Sequence, residues 1–205
     1  MTEYHFYEPT NGHRLPHDPL NAIIAPRPIG WVSTIGADGV RNLAPYSFFN
    51  LISYRPPLVA FSSMGWKDSV ANVSATGEFV WNLATMAQAN QMNATSASVA
   101  PAVDEFDLAG LDALPSSLVK APRVAGSPVH FECRLTQLIQ LQSKEGLELD
   151  QWLVIGEAVG VHIDTAMLAA GVYQTARPHP ITRGGGPGDY FEITQDRLFI
   201  MRRPE

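Results

Sequence analysis

A mainly β fold, a barrel or a sandwich decorated with short helices, is what this sequence predicts. Three observations carry the prediction. Six or seven segments are patterned like strands, the helical stretches between them are short, and the two kinds do not alternate regularly. The last point argues against a doubly wound parallel sheet, and so against a Rossmann cofactor domain.

The first 28 residues are irregular. Pro9, Pro16, Pro19, Pro26 and Pro28 forbid a continuous helix and favour an extended lead-in. Ile29 to Ile35 reads as a strand, with Trp31, Ser33 and Ile35 on one face and Val32 and Thr34 on the other. Ala37-Asp38-Gly39 is a hairpin signal, and Val40 to Pro45 is the returning strand. Pro56 and Pro57 punctuate the chain before a further strand, Leu58 to Ser63. Lys67 to Thr76 reads as a short helix with Val70 and Val73 on one face. Asp68 or Ser69 is expected to cap it, and Gly77 to end it.

Glu78 to Ala84 is strand-like, and Met86 to Ala100 is helical at its start. Asp104 to Val124 reads as a loop broken by Pro115 and Pro122. His130 to Gln142 alternates strongly, and a register change near Gln137 predicts a bulge. Gln151 to Ile163 follows, with Val159, Val161 and Ile163 on one face. The short run Tyr190 to Ile193 is the last segment.

The whole chain sets broader limits. Its 205 residues suit a single domain over 1–205, with 1–20 as an irregular lead-in. A hydrophobic content of 45% supports a core, and 17% charged residues is too few for a disordered chain. A net charge of -6 and a pI of about 5.5 argue against nucleic acid as a partner. One cysteine, Cys133, forms no intramolecular disulfide and no cysteine-rich zinc site. The N-terminal residues do not resemble a secretory signal, and no apolar stretch would span a bilayer. A cytoplasmic protein with no membrane partner is therefore expected, with the sequons at Asn72 and Asn93 silent.

The six histidines show no ligand spacing, and Pro16 keeps His13 and His17 off a common helix, so no metal site is expected. Phosphate-loop, dinucleotide, zinc-protease and nucleophile-elbow motifs are absent from the sequence. His130 and Glu132 read as a polar strand face and Cys133 as a small buried hydrophobe. The four tryptophans, Trp31, Trp66, Trp81 and Trp152, read as core or interface residues.

Three segments carry candidate chemistry. In Asn42-Leu43-Ala44-Pro45-Tyr46-Ser47-Phe48-Phe49, the aromatics alone would fit a core-filling strand end. The small, polar and backbone-restricting residues among them suit a planar ligand lying against the backbone. In Ser62-Ser63-Met64-Gly65-Trp66-Lys67-Asp68-Ser69, two hydroxyls leave a strand and a lysine opens a helix. A helix N-terminus attracts a phosphate there, although a plain capped surface helix is equally served by these residues. A planar ring and a phosphate together describe a mononucleotide. In Pro180-Ile181-Thr182-Arg183-Gly184-Gly185-Gly186-Pro187-Gly188-Asp189-Tyr190, glycines allow close approach, Arg183 can pair with a phosphate or carboxylate and Tyr190 can stack, or else the segment is a flexible exposed loop.

These residues together resemble the flavin reductase-like family of FMN-binding split barrels. The matching stretches are Arg27 to Thr34, Asn42 to Phe49, Pro56 to Val59, Lys67 to Asn72 and Gly77 to Asn82, with Glu132-Cys133 and Arg183 to Gly185 beside them. At position 81, where the family often carries a small aliphatic residue, this chain has Trp81. The resemblance implies a Greek-key split β-barrel that forms a homodimer with FMN near the subunit interface, FAD being the alternative flavin. It implies that Asn42, Leu43, Ala44, Pro45, Tyr46 and Ser47 meet the ring and ribityl chain. Ser62, Ser63, Lys67, Asp68 and Ser69 would surround the phosphate. The segment from Asn90 to Thr95 would close the site, and Arg183 would help hold FMN or NAD(P)H.

The activity implied is an NAD(P)H-dependent flavin reductase that transfers hydride from nicotinamide to flavin N5, with a partner monooxygenase as one outlet for reduced flavin. No proton-transfer residue is assigned, because the flavin carries the chemistry. The alternative is a non-enzymatic FMN electron-transfer protein of the flavoredoxin kind. A barrel holding haem or a deazaflavin is a third reading.

Overall fold

The computed structural model describes residues 2–204. Seven antiparallel strands form one sheet: β1 (Gly30–Ile35), β2 (Arg41–Tyr46), β3 (Phe49–Tyr54), β4 (Pro57–Met64), β5 (Glu78–Asn82), β6 (Val129–Gln142) and β7 (Glu148–Ile163). Their order across the sheet is β2-β1-β5-β6-β7-β4-β3. The two edges, β2 and β3, are consecutive in the chain and joined only by Ser47 and Phe48. The sheet must therefore curl until its edges approach. The Tyr46 ring lies 4.7 Å from that of Phe61 on β4, and Ser62 N donates to Phe48 O at 2.8 Å. The result is a split β-barrel rather than a sandwich.

The barrel interior is filled by Val32, Val59, Phe61, Phe79, Cys133 and Val154. Helix α1 (Asp68–Thr76) adds Val70 and Val73, both fully buried, and ends on Gly77 at φ 72°. Each such side chain contributes about 1.5–3 kcal/mol of transfer free energy. A second cluster lies on the other face of β1 and β2. Trp31, Leu43, Met92 and Phe106 pack there beneath α2 (Ala89–Ala94) and α3 (Glu105–Ala109). Strand β1 is buried on both faces for this reason, although it alternates as the sequence predicts.

Several expectations are corrected. Phe49 to Tyr54 was not predicted as a strand. It is an edge strand whose Leu51, Ile52 and Tyr54 are exposed, so it lacks the polar-out pattern that marks a half-buried strand. Asp104 to Val124 is not only loop: it holds α3 and a two-stranded ribbon pairing Ala113–Leu114 with Arg123–Val124. The irregular lead-in contains a 3-10 turn, Pro9–Asn11, and an α-helical turn, Leu20–Ile23, and Arg27–Pro28 pairs with Ile181–Arg183 in a separate three-stranded sheet.

The α1 N-cap is Lys67, not Asp68 or Ser69, and no side chain caps it. The bulge near Gln137 is present, since the register passes from Ile155↔Gln137 to Gly156↔Leu135 and skips Thr136. The face of His130 and Glu132 is polar but not exposed; these residues are 4% and 0% accessible. Trp81 is accommodated by stacking on Phe49 at 5.5 Å and by donating from Nε1 to Ile29 O at 2.9 Å.

Candidate functional site

A cavity of about 360 Å³ opens where β2, the start of α1 and the segment after α2 converge. Asn42, Ala44, Pro45 and Tyr46 supply its β2 wall, and Lys67, Asp68 and Ser69 its helix wall. Thr95, Ser96, Ala97, Ser98, Val99, Pro101 and Glu105 complete it.

Alternation along β2 accounts for three of its four cavity-lining residues, with Pro45 bordering the cavity from between them. Asn42, Ala44 and Tyr46 share one face, while Leu43 points into the second core and is fully buried. The Asn42 amide donates to Ser69 Oγ at 2.8 Å and to Thr34 Oγ1 at 3.2 Å, and Asn72 Nδ2 donates to the same threonine at 3.1 Å. These bonds fix the first turn of α1 against the sheet. With no side-chain cap on α1, the amides of that turn remain available to a ligand, beside the Lys67 side chain.

Glu105 is placed by a different set of contacts. Asp104 caps α3 by accepting from Phe106 N at 2.9 Å, and Arg41 on β2 pairs with Asp104 at 2.5 Å and Asp107 at 2.9 Å. The helix is thereby pinned so that the Glu105 carboxylate accepts from Leu43 N at 3.0 Å. Burial raises the Glu105 carboxyl above the usual range, against the lowering effect of the Leu43 amide. Burial likewise pushes the Tyr46 phenol up, against the hydroxyls of Ser69 and Ser63 beside it.

Of the residues singled out in the sequence, Asn42, Ala44, Pro45, Tyr46, Lys67, Asp68, Ser69 and Thr95 line this cavity; Leu43, Ser47, Ser62, Ser63, Asn90 and Arg183 do not. Ser62 accepts from Gln151 Nε2 at 2.6 Å, and Ser63 donates to Gly65 O at 3.0 Å. Asn90 is exposed on α2. Arg183 donates to Asp189 O and Gly186 O at 2.9 Å each and lies over the Tyr190 ring.

Sequence reading missed Ser96 to Val99, Pro101 and Glu105. The small polar run Thr95-Ser96-Ala97-Ser98 carries the same signal as Asn42 to Ser47. Glu105 carried none, because it lay in a stretch read as loop. Among the described residues, no group of three or more His, Cys, Asp or Glu side chains is placed to hold a metal ion. No helix among them is long and apolar enough to cross a membrane.

A family profile described as "Flavin reductase like domain" matches residues 24–182. A protein of Aquifex aeolicus (strain VF5) described as uncharacterized is 37% identical over 172 residues, covering 80% of this chain and 83% of that one. The crystal structure of nitrilotriacetate monooxygenase component B from Bacillus cereus is similar at a TM-score of 0.82 and 30% identity, over 89% of this chain and 90% of that chain. A split-barrel structure from Shewanella frigidimarina NCIMB 400 matches at a TM-score of 0.76 and 21% identity, over 91% and 89% of the two chains, and shows the shared fold.

Proposed function

This chain belongs to the flavin reductase-like family, and we propose that it is an FMN-binding oxidoreductase that draws electrons from NAD(P)H. The observation that carries the proposal is the cavity itself. It joins the Ala44–Tyr46 backbone to the uncapped first turn of α1 at Lys67, which fits a planar ring at one end and a phosphate at the other.

FMN held there would supply the redox chemistry, with the nicotinamide as its electron donor. The protein's own residues bind and orient. Lys67 and the free amides of α1 hold the phosphate, with Ser69 kept in place by Asn42. Ala44 and Pro45 give the ring a flat wall with no long side chain in the way. Ser96 and Ser98 offer hydroxyls to the ribityl chain. The Tyr46 phenol, neutral near pH 7 as tyrosines ordinarily are, offers the site a hydrogen-bonding hydroxyl. Asn42, Ala44, Pro45, Tyr46, Lys67, Asp68, Ser69 and Thr95 are thus the proposed flavin residues.

A homodimer is part of the proposal. The exposed apolar residues Leu51, Ile52 and Tyr54 on edge strand β3 support it. Similarity to a monooxygenase component B supports delivery of reduced flavin to a separate monooxygenase.

The test mixes purified protein with FMN and either NADH or NADPH and follows the nicotinamide absorbance band. FMN-stimulated oxidation of one nucleotide is expected. Absence of FMN binding overturns the site. Tight FMN binding with no oxidation of either nucleotide replaces the reductase with a flavin electron carrier.

A further inference from the structure

Glu105 stands in the wall of the cavity proposed for FMN, 5% accessible. Among the described residues no cation pairs with it, because Arg41 directs its guanidinium to the flanking acids Asp104 and Asp107. Its carboxylate meets a single donor from another residue, Leu43 N, which lies 3.0 Å from Oε2. Oε1 accepts from no other residue. The buried polar side-chain atoms without a partner are Arg27 Nε, Gln88 Oε1 and His130 Nδ1 among the described residues, and Glu105 Oε1 is not one of them. Oε1 therefore has open surface, and the opening that Glu105 borders is this cavity.

A carboxylate withdrawn from water is costly unless hydrogen bonds replace its hydration. An ionised carboxylate has about four lone-pair sites, and Glu105 fills one of them from Leu43. The other oxygen is an acceptor held ready for a donor that the rest of the chain does not supply.

The order of residues along β2 fixes which part of a flavin that donor belongs to. Asn42 is tied to Ser69 in the first turn of α1, at the phosphate end of the cavity. Ala44, Pro45 and Tyr46 border the ring end. Leu43, to which Glu105 is bonded, lies between the two, about 3.3 Å along the strand from either neighbour. Glu105 thus faces the middle of the ligand. A phosphate there would be repelled by the carboxylate, and the carbonyls and bare nitrogens of the ring only accept. The imide N–H of the ring lies on the side away from the ribityl chain. The chain itself joins ring to phosphate and carries hydroxyls. A hydroxyl both donates and accepts, so it pairs with Glu105 in either protonation state.

We propose that Glu105 selects for a flavin that carries a polyol chain: its Oε1 accepts a hydrogen bond from a ribityl hydroxyl while Oε2 stays on the Leu43 amide. The inference rests on the flavin reading of the cavity and adds to it a preference for the hydroxylated chain over the bare ring. Arg41 acts as a positioning residue, through Asp104 and the α3 cap.

The experiment titrates full-length protein with FMN, riboflavin and lumiflavin, which is the ring without the polyol, by flavin fluorescence in wild type and Glu105→Gln. The glutamine keeps an oxygen for Leu43 N and turns an amide donor toward the cavity, so a ligand hydroxyl loses its charged acceptor. Riboflavin is the deciding probe because it has the chain but no phosphate to respond to the lost charge. Riboflavin is expected to bind the variant about ten-fold more weakly than the wild type, and lumiflavin to bind both alike. If neither FMN nor riboflavin binds the wild type, the flavin reading is overturned and the proposal with it. If both bind, but the variant loses riboflavin and lumiflavin equally or loses neither, the Glu105 proposal alone is overturned. Should the variant fail to fold, carboxyl ¹³C spectra of glutamate-labelled wild type decide. Glu105 is the one glutamate among the described residues that line the cavity. Riboflavin must therefore move one carboxyl resonance that lumiflavin leaves in place, and a spectrum without such a resonance overturns the proposal.

Discussion

The Asn42 side-chain amide donates to the Ser69 hydroxyl at 2.8 Å, and this one bond ties strand β2 to the first turn of α1. Asn42 is 6% accessible and Ser69 is 1% accessible, so water cannot replace either partner. Ser69→Ala leaves half of a buried amide unpaired. A loss of about 1–2 kcal/mol in urea unfolding of the flavin-free protein is expected, together with weaker FMN binding by fluorescence titration. Unaltered stability would show that the bond does not hold the wall of the cavity.

Among the described residues, Lys67 is the single cation that lines the cavity proposed for FMN. Lys67→Ala is expected to weaken FMN by about ten- to a hundred-fold through the lost phosphate contact. Riboflavin, which has the same ring but no phosphate, should bind the variant and the wild type alike. Equal losses for both flavins would place Lys67 against the ring instead.

The Glu105 carboxyl has its pKa raised above 4.5 chiefly by burial. Because its folded pKa exceeds its unfolded one, the folded state retains a proton that the unfolded chain has released. Its contribution to stability therefore falls as pH rises from about 4.5 through the raised value. Glu105→Gln keeps an oxygen for the Leu43 amide and removes this titration. Urea midpoints of variant and wild type should diverge in favour of the variant as pH climbs through that window. Parallel curves would mean that Glu105 titrates normally.

Gly156 sits beside the bulge of the β6–β7 pair, over a fully buried ring. A Cβ there would lie 2.3 Å from Phe79 Cε1 and 2.5 Å from Cζ, with the Arg134 carbonyl at 3.2 Å. Gly156→Ala must displace Phe79 from the barrel core and is expected to cost about 1–3 kcal/mol in thermal or urea unfolding. Wild-type stability would mean that Phe79 has space to move that the packing does not show.

The buried Cys133 thiol is pushed well above the ordinary thiol range by its surroundings in the barrel. Little thiolate forms, and no reagent reaches it. An aromatic disulfide reagent should leave it unmodified in the native protein and react fully in denaturant. Rapid labelling without denaturant would contradict its place in the core.

By itself, the sequence determined whatever depends on near neighbours. The alternation of Trp31, Val32 and Ser33, the Asp38-Gly39 turn, the Gly77 helix end and the strand break near Gln137 are all set by backbone preference and side-chain periodicity within a few residues. The two halves of the proposed flavin site carry local signals as well, small residues at Asn42 to Ser47 and a lysine opening a helix. Phe49 to Tyr54 escaped because it lies on an open edge with apolar residues facing outward, where burial imposes no pattern.

Tertiary structure alone decided what comes from distant residues. Glu105 reaches the cavity because Arg41 anchors its helix 63 residues away, through Asp104. Ser62, Ser63 and Arg183 do not line the cavity and bond instead to Gln151, Gly65 and Asp189. His130, Glu132 and His162 meet only through the register of two long strands. No local window contains such pairings, since closure of the barrel, not propensity, brings their side chains within reach.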